Sequence, residues 1–309
     1  MGRILFRKQA RRLPCLRSAG RYGEAGMLYL FWLLTGVLKA ERASVAGMRL
    51  MQWLGPKTHR HRTLLANLEL AFPELDEDER ERLARKIWGN FGSVLAEYPH
   101  LDRFAPGESP AGFELQIDPE SRVVIESHRA AVYVSAHTAN WELVGVTLTG
   151  LGVSLSVIYG PQSNPILEQA IQKQRRRLGC RLVPKDQAMR RLVRELRSGR
   201  SVGLLPDQRL DSGESLPFFG LNTPTGTSPG RLAARLHCPV IPVQVQRLQH
   251  GRYRVRIHAP LTDTRDDGSR RDAIEISTEL NRLFEGWIRQ HPEQWLCLKR
   301  RWPKAFYAP

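Results

Sequence analysis

Apolar residues in the second half of the chain come in short runs separated by stretches of helical spacing. VVIE, AVYVSA, VSLSVIYG, CRLVP and SVGLLP read as strands from about Ser121, and residues 165–178 and 187–197 read as the helices between them. That alternation predicts an α/β fold, a mostly parallel central sheet flanked by helices. Asn164 before Pro165 supplies an N-cap and a first-turn proline, and Gly179 closes the same helix. CPVIPVQVQ and RYRVRIHAP add two later strands. A long helix then follows over residues 272–290, with Ile276, Leu280, Leu283, Phe284 and Trp287 on one side.

The first half reads as helical. LLANLELAFPEL predicts a helix ending before Pro73, and Asp76 opens a second one with acidic residues in its first turn and Leu83, Ile87, Trp88, Phe91, Val94 and Leu95 at helical spacing. Ahead of these, the apolar run MLYLFWLLTGVL follows Arg3, Arg7, Lys8, Arg11, Arg12, Arg17 and Arg21. Lys39, Glu41 and Arg42 stand where a signal peptide would want a small-residue cleavage site. The expectation is an uncleaved attachment helix. Its twelve residues rise only about 18 Å, against roughly 30 Å of hydrocarbon, so spanning and partial insertion both stay open. Residues 43–54 add Met48, Leu50, Met51, Trp53 and Leu54, suited to an interface. The expected division is a basic N-terminus and membrane-attachment segment over 1–54, and one catalytic domain over 55–309.

Charge narrows the partners. Lys and Arg number 47 against 31 Asp and Glu, a net +16 that favours anionic lipid, an acidic carrier protein or nucleic acid. The aromatic stacking motifs of common RNA readers are not found, so nucleic acid is set aside. Cys15, Cys180, Cys238 and Cys297 are far apart, without a Cys-x-x-Cys pair. This argues against a zinc site and a disulfide framework and fits a reduced compartment; no metal or cofactor is expected.

The candidate chemistry lies in AVYVSAHTANWELVGV, an apolar strand, His137, Asn140 as a candidate N-cap, and an apolar helix carrying Glu142. A side chain where a buried strand turns into a helix faces the crevice at the strand's carboxyl end. Imidazole is the commonest base near neutral pH, and a carboxylate on its other nitrogen fixes the tautomer. His137 would deprotonate an acceptor hydroxyl with Glu142 orienting it, and no serine nucleophile is needed. The same spacing recurs at His258 and Asp263, where Pro260 prevents an ordinary helix, so that pair reads as structural.

Several blocks in order carry a resemblance: NLELAFPEL, AHTANWE around His137, IYGPQSNPILEQAIQKQRRRLG, LLPDQ ending at Gln208, PFFG at Pro217 to Gly220, and HPEQWLCLKRRW. Together they resemble the late acyltransferases of lipid A biosynthesis, the lauroyl and myristoyl transferases of Gram-negative bacteria, over about residues 27 to 302. The resemblance implies a glycerol-phosphate-acyltransferase-like fold, an inner-membrane anchor with the enzyme on the cytoplasmic face, an acyl carrier protein thioester as donor, and a Kdo-bearing lipid A precursor as acceptor. It makes His137 and Glu142 the catalytic pair and gives Asp207 and Gln208 a role in holding the acceptor or bracing the site. Candidate groove residues for the acyl chain are Trp141, Leu143, Phe218 and Phe219. Where the family usually reads Tyr-Arg-Pro this chain has Tyr159-Gly160-Pro161, which leaves Asn164, Arg175, Arg176 and Arg177 as candidate donors. Cys297 and Lys299 also depart from its Trp and His, which points to a different acceptor. The alternatives are a transferase of this family using acyl-CoA on another membrane glycolipid or aminolipid, and a non-catalytic basic membrane or nucleic-acid binding protein.

Overall fold

A computed structural model describes residues 14–104, 113–176, 178–184, 188–265 and 267–307. Four helices come first: α1 (Pro14–Gly36), α2 (Ala40–Leu54), α3 (Arg60–Ala71) and α4 (Glu77–Glu97). Then follow β1 (Phe113–Ile117), α5 (Pro119–Glu126), β2 (Val132–Val134), α6 (Glu142–Gly150), β3 (Leu155–Tyr159), α7 (Pro165–Arg176), β4 (Arg181–Pro184), α8 (Ala188–Arg197) and β5 (Ser201–Leu204). The chain continues through β6 (Arg209–Phe218), β7 (Leu221–Thr225), α9 (Ser228–Leu236), β8 (Val240–Gln249), β9 (Arg252–Ile257) and α10 (Ala273–Gln290).

Seven strands form the main sheet in the order β1-β9-β8-β2-β5-β3-β4, and β6 and β7 form a separate hairpin. Within the main sheet only β8 and β9 pair antiparallel, which agrees with the mostly parallel sheet expected from the alternating pattern. One core cluster joins α3, α4, α9 and α10 to one side of the sheet, and a second joins α1, α4 and α6 to the other. Such two-sided cover is what lets β2 be buried at every residue.

Local chemistry explains several boundaries. Asp76 and Asp272 each form a capping box with the glutamate three residues on. Asn164 accepts from the Ile166 amide as expected of an N-cap, and Gly179 turns the chain with φ of 71°. The VVIE run is a correction: it lies in α5, because Asp118 caps the Glu120 amide and Pro119 occupies the first turn. Asn140 is another, since its amide leaves the α6 terminus and donates to Glu97. His258 stacks on Trp287 and meets Gln244, away from Asp263, which pairs with Arg270.

Within the helical N-terminal half, α2 and α4 approach closely. A Cβ on either Gly47 or Gly92 would run into the other residue's carbonyl, so both positions require glycine. Trp32 of α1 stacks on Tyr98 and donates its indole N–H to the Leu95 carbonyl. The opposite side of α1 exposes Met27, Leu30, Leu33 and Leu34, followed by Val37 just after it, and α2 adds Leu50, Trp53 and Leu54. Among the described residues no helix is long and apolar enough to cross a membrane. The basic residues before position 14 lie outside the described residues.

Candidate active site

Register places the site. In the parallel pair β2 and β5, Val134 is the partner of Leu204. His137 and Asp207 each follow three residues later, so both emerge at the carboxyl edge of adjacent buried strands. There His137 Nδ1 lies 2.6 Å from Asp207 Oδ1. Asp207 is 1% exposed, and its second oxygen accepts from the Trp295 indole at 3.3 Å. The His137 side chain, 19% exposed, breaks an otherwise buried stretch and faces the crevice. With Nδ1 donating to the carboxylate, Nε2 is the nitrogen left to exchange a proton.

This corrects the role expected of Glu142. It is buried, and it accepts from Arg175 Nη2 at 2.5 Å, from Arg175 Nε at 3.1 Å and from the Tyr98 hydroxyl at 2.7 Å. Burial alone would push its carboxyl up, but the guanidinium beside it and these hydrogen bonds hold it below the usual carboxylate range. Burial and the neighbouring Glu142 charge push the Tyr98 hydroxyl well up, so it stays a donor. Glu142 therefore binds a cation and a phenol, and the carboxylate on His137 is Asp207.

A second buried network supports the loop that carries His137. Glu97 accepts from Arg247 Nη1 at 2.5 Å, from Asn140 at 2.9 Å and from the Tyr253 hydroxyl. Asn90 donates to the carbonyls of Ala139 and Gln294, both at 3.2 Å, and Arg247 donates back to Asn90 at 2.9 Å. Ala139 sits at φ of 49°, a left-handed conformation costly for a residue with a side chain. Its amide donates to the Gln294 carbonyl, and the Leu296 amide donates to that of His137. The C-terminal PEQWLCLKRR segment thus clamps the loop that carries His137.

The remaining candidates divide. Trp141 lies beside His137, with ring centroids 5.4 Å apart. Phe218 and Phe219 pack against Trp295 and Trp302 as buried core, which corrects their expected place as open acyl-groove walls. Asn164 spends its amide on Arg21 and Glu24 of α1, a structural tie where a substrate contact was expected. Arg176 is exposed and Arg177 is outside the described residues, so Arg175 is the cation brought to Glu142 of α6. Gln208 is half-buried and, with Asp207, lines a cavity of about 280 Å³. Cys180 and Cys297 are poor nucleophiles, because burial raises both thiols, Cys180 to about 12. Among the described residues no cluster suited to a metal ion occurs.

Comparison with known proteins shows the family. Residues 16–304 match the profile of the bacterial lipid A biosynthesis acyltransferases. The chain is 25% identical to the lipid A biosynthesis myristoyltransferase of Escherichia coli K12 over 80% of its own length and 77% of that protein. It is 25% identical to the palmitoleoyltransferase and 26% identical to the lauroyltransferase of the same organism, each over 76% of both chains. The expectation of an acyltransferase drawn from the ordered blocks therefore holds, and the chain belongs to the bacterial lipid A biosynthesis acyltransferase family.

Proposed function

We propose that this enzyme moves a fatty acyl chain from an acyl carrier protein thioester to a hydroxyl of a Kdo-bearing lipid A precursor, with His137 as general base oriented by Asp207. The observation that carries this reading is the 2.6 Å contact between the two at the ends of adjacent parallel strands. His137 Nε2 takes the proton as the acceptor oxygen attacks the thioester carbonyl. The tetrahedral intermediate then collapses, the C–S bond breaks, and the leaving thiolate takes the proton from the imidazolium. Asp207 stabilises that cation while it exists. The transfer is direct, which suits a site whose nearby cysteines are held as thiols. A glycerol-phosphate-acyltransferase-like fold and the division at residues 54 and 55 belong to the same proposal.

The proposed location is the cytoplasmic face of the inner membrane. The exposed side of α1 and α2, with Lys57 lying over the Trp53 ring, presents apolar and aromatic groups beside a cation, the makeup of an interfacial surface. The +16 charge suits both anionic lipid and an acidic carrier. Assays with acyl carrier protein and coenzyme A thioesters on a Kdo-bearing precursor in anionic vesicles test the proposal. Faster turnover with the carrier protein, falling steeply with salt, and co-sedimentation that weakens in Trp53→Glu are expected. A strict coenzyme A preference overturns the donor, and unchanged vesicle binding in Leu33→Glu/Trp53→Glu overturns the surface.

A further inference from the structure

The cavity on the far wall of Asp207 carries an unusual charge. Its lining includes Arg209, Lys299, Arg300 and Arg301 against Asp207 and Asp211. Asp207 is committed to His137 and Trp295, and Asp211, which meets Arg209 at 2.6 Å, is 82% exposed. Arg301 is only 2% exposed, yet among the described residues it makes no ion pair; Thr223, the Pro224 carbonyl and Thr225 take its terminal nitrogens. Its Nε–H is buried without an acceptor, and so is that of Arg209. Burial pushes the Arg301 guanidinium down to about 10, with the Asp207 charge opposing, as expected of a cation short of compensation. Guanidinium forks on separate segments, each with an unused inner donor, match an anion with several oxygens better than they match water.

We infer that this cavity is a subsite for a phosphate group carried by a substrate, with Arg209 and Arg301 as its inner donors and Lys299 and Arg300 at its rim. The inference rests on the transferase reading above, because sharing Asp207 with the His137 site puts a bound phosphate next to the reacting hydroxyl or thioester. The phosphate belongs either to the glycolipid acceptor or to the phosphopantetheine arm of the donor.

Calorimetry of the full chain in detergent with inorganic phosphate tests the subsite, on wild type, Arg209→Gln, Arg300→Gln, and Arg254→Gln as a control paired with Glu114 outside the cavity. Saturable binding is expected, weakened at least about tenfold by Arg209→Gln, the scale of one charge-assisted hydrogen bond, and unchanged by Arg254→Gln. Arg300→Gln, an exposed rim change, serves if Arg209→Gln does not fold. Steady-state kinetics then separate the sources: a raised KM for the acceptor alone assigns the phosphate to the glycolipid, and a raised KM for the thioester alone assigns it to the donor. Absence of saturable phosphate binding, or binding indifferent to both cavity variants, overturns the subsite. Repeating the titration on His137→Ala separates the two readings, because that variant retains phosphate binding whether or not transfer depends on His137.

Discussion

His137→Ala is expected to lower acyl transfer by about 10²- to 10⁴-fold, the range that a positioned general base contributes, while the protein stays folded. The ring is partly exposed at the crevice and supports little of the core, so its loss should register in kcat and scarcely in thermal unfolding. Asp207→Asn should produce a comparable loss, because an amide in place of the carboxylate no longer holds the imidazole with Nδ1 protonated or stabilises its cation. In the double variant the two losses should not add, since each group acts through the other. Turnover of each variant against one thioester and one acceptor, with circular dichroism to confirm folding, measures this. Near-normal transfer by His137→Ala would remove the mechanism.

Arg175→Ala is expected to act on stability first. It removes the only charged partner recorded for a buried carboxylate and leaves Glu142 with the neutral donors Tyr98 and Trp141, a loss of the kind that costs about 3–5 kcal/mol. The pH dependence should change sign as well. In the wild type the Glu142 carboxyl is held below its unfolded value, so its contribution is present above the unfolded pKa and is lost as pH falls through the folded one. Without Arg175 burial dominates and raises the carboxyl, so the variant should gain stability as pH falls toward the raised value. Denaturant unfolding across pH 4 to 8 follows both effects. A variant as stable as wild type, with an unchanged acid limb, would mean that the ion pair contributes nothing.

The elements of the sheet were legible because periodicity and caps speak locally: Asp76, Asn164 and Asp272 begin their helices where side-chain chemistry says they should. VVIE misled because three apolar residues in a row fit either period, and Asp118 and Pro119 decide for a helix. His137 was legible from its strand-to-helix setting. Its carboxylate was misread because spacing along one segment favours Glu142, whereas parallel pairing brings in a residue seventy positions away. The usable signal was the matching offset of HTANW after AVYVSA and DQ after SVGLLP. The Glu97, Asn90, Arg247 and Gln294 clamp had no such signal, since its members come from three separate segments and meet only in the folded core. Phe218 and Phe219 were assigned to a groove by residue type, but aromatic rings fill cores as readily as they line pockets.

The assignment of Asp207 to His137 is open to direct observation in the full chain labelled with ¹⁵N-histidine. A proton on Nδ1 donated to a buried carboxylate gives a far-downfield resonance coupled to that nitrogen. The expected result is one such signal in wild type, lost in His137→Ala and Asp207→Asn and kept in Glu142→Gln. A signal that survives Asp207→Asn and disappears in Glu142→Gln would contradict it, and would return the orienting role to Glu142.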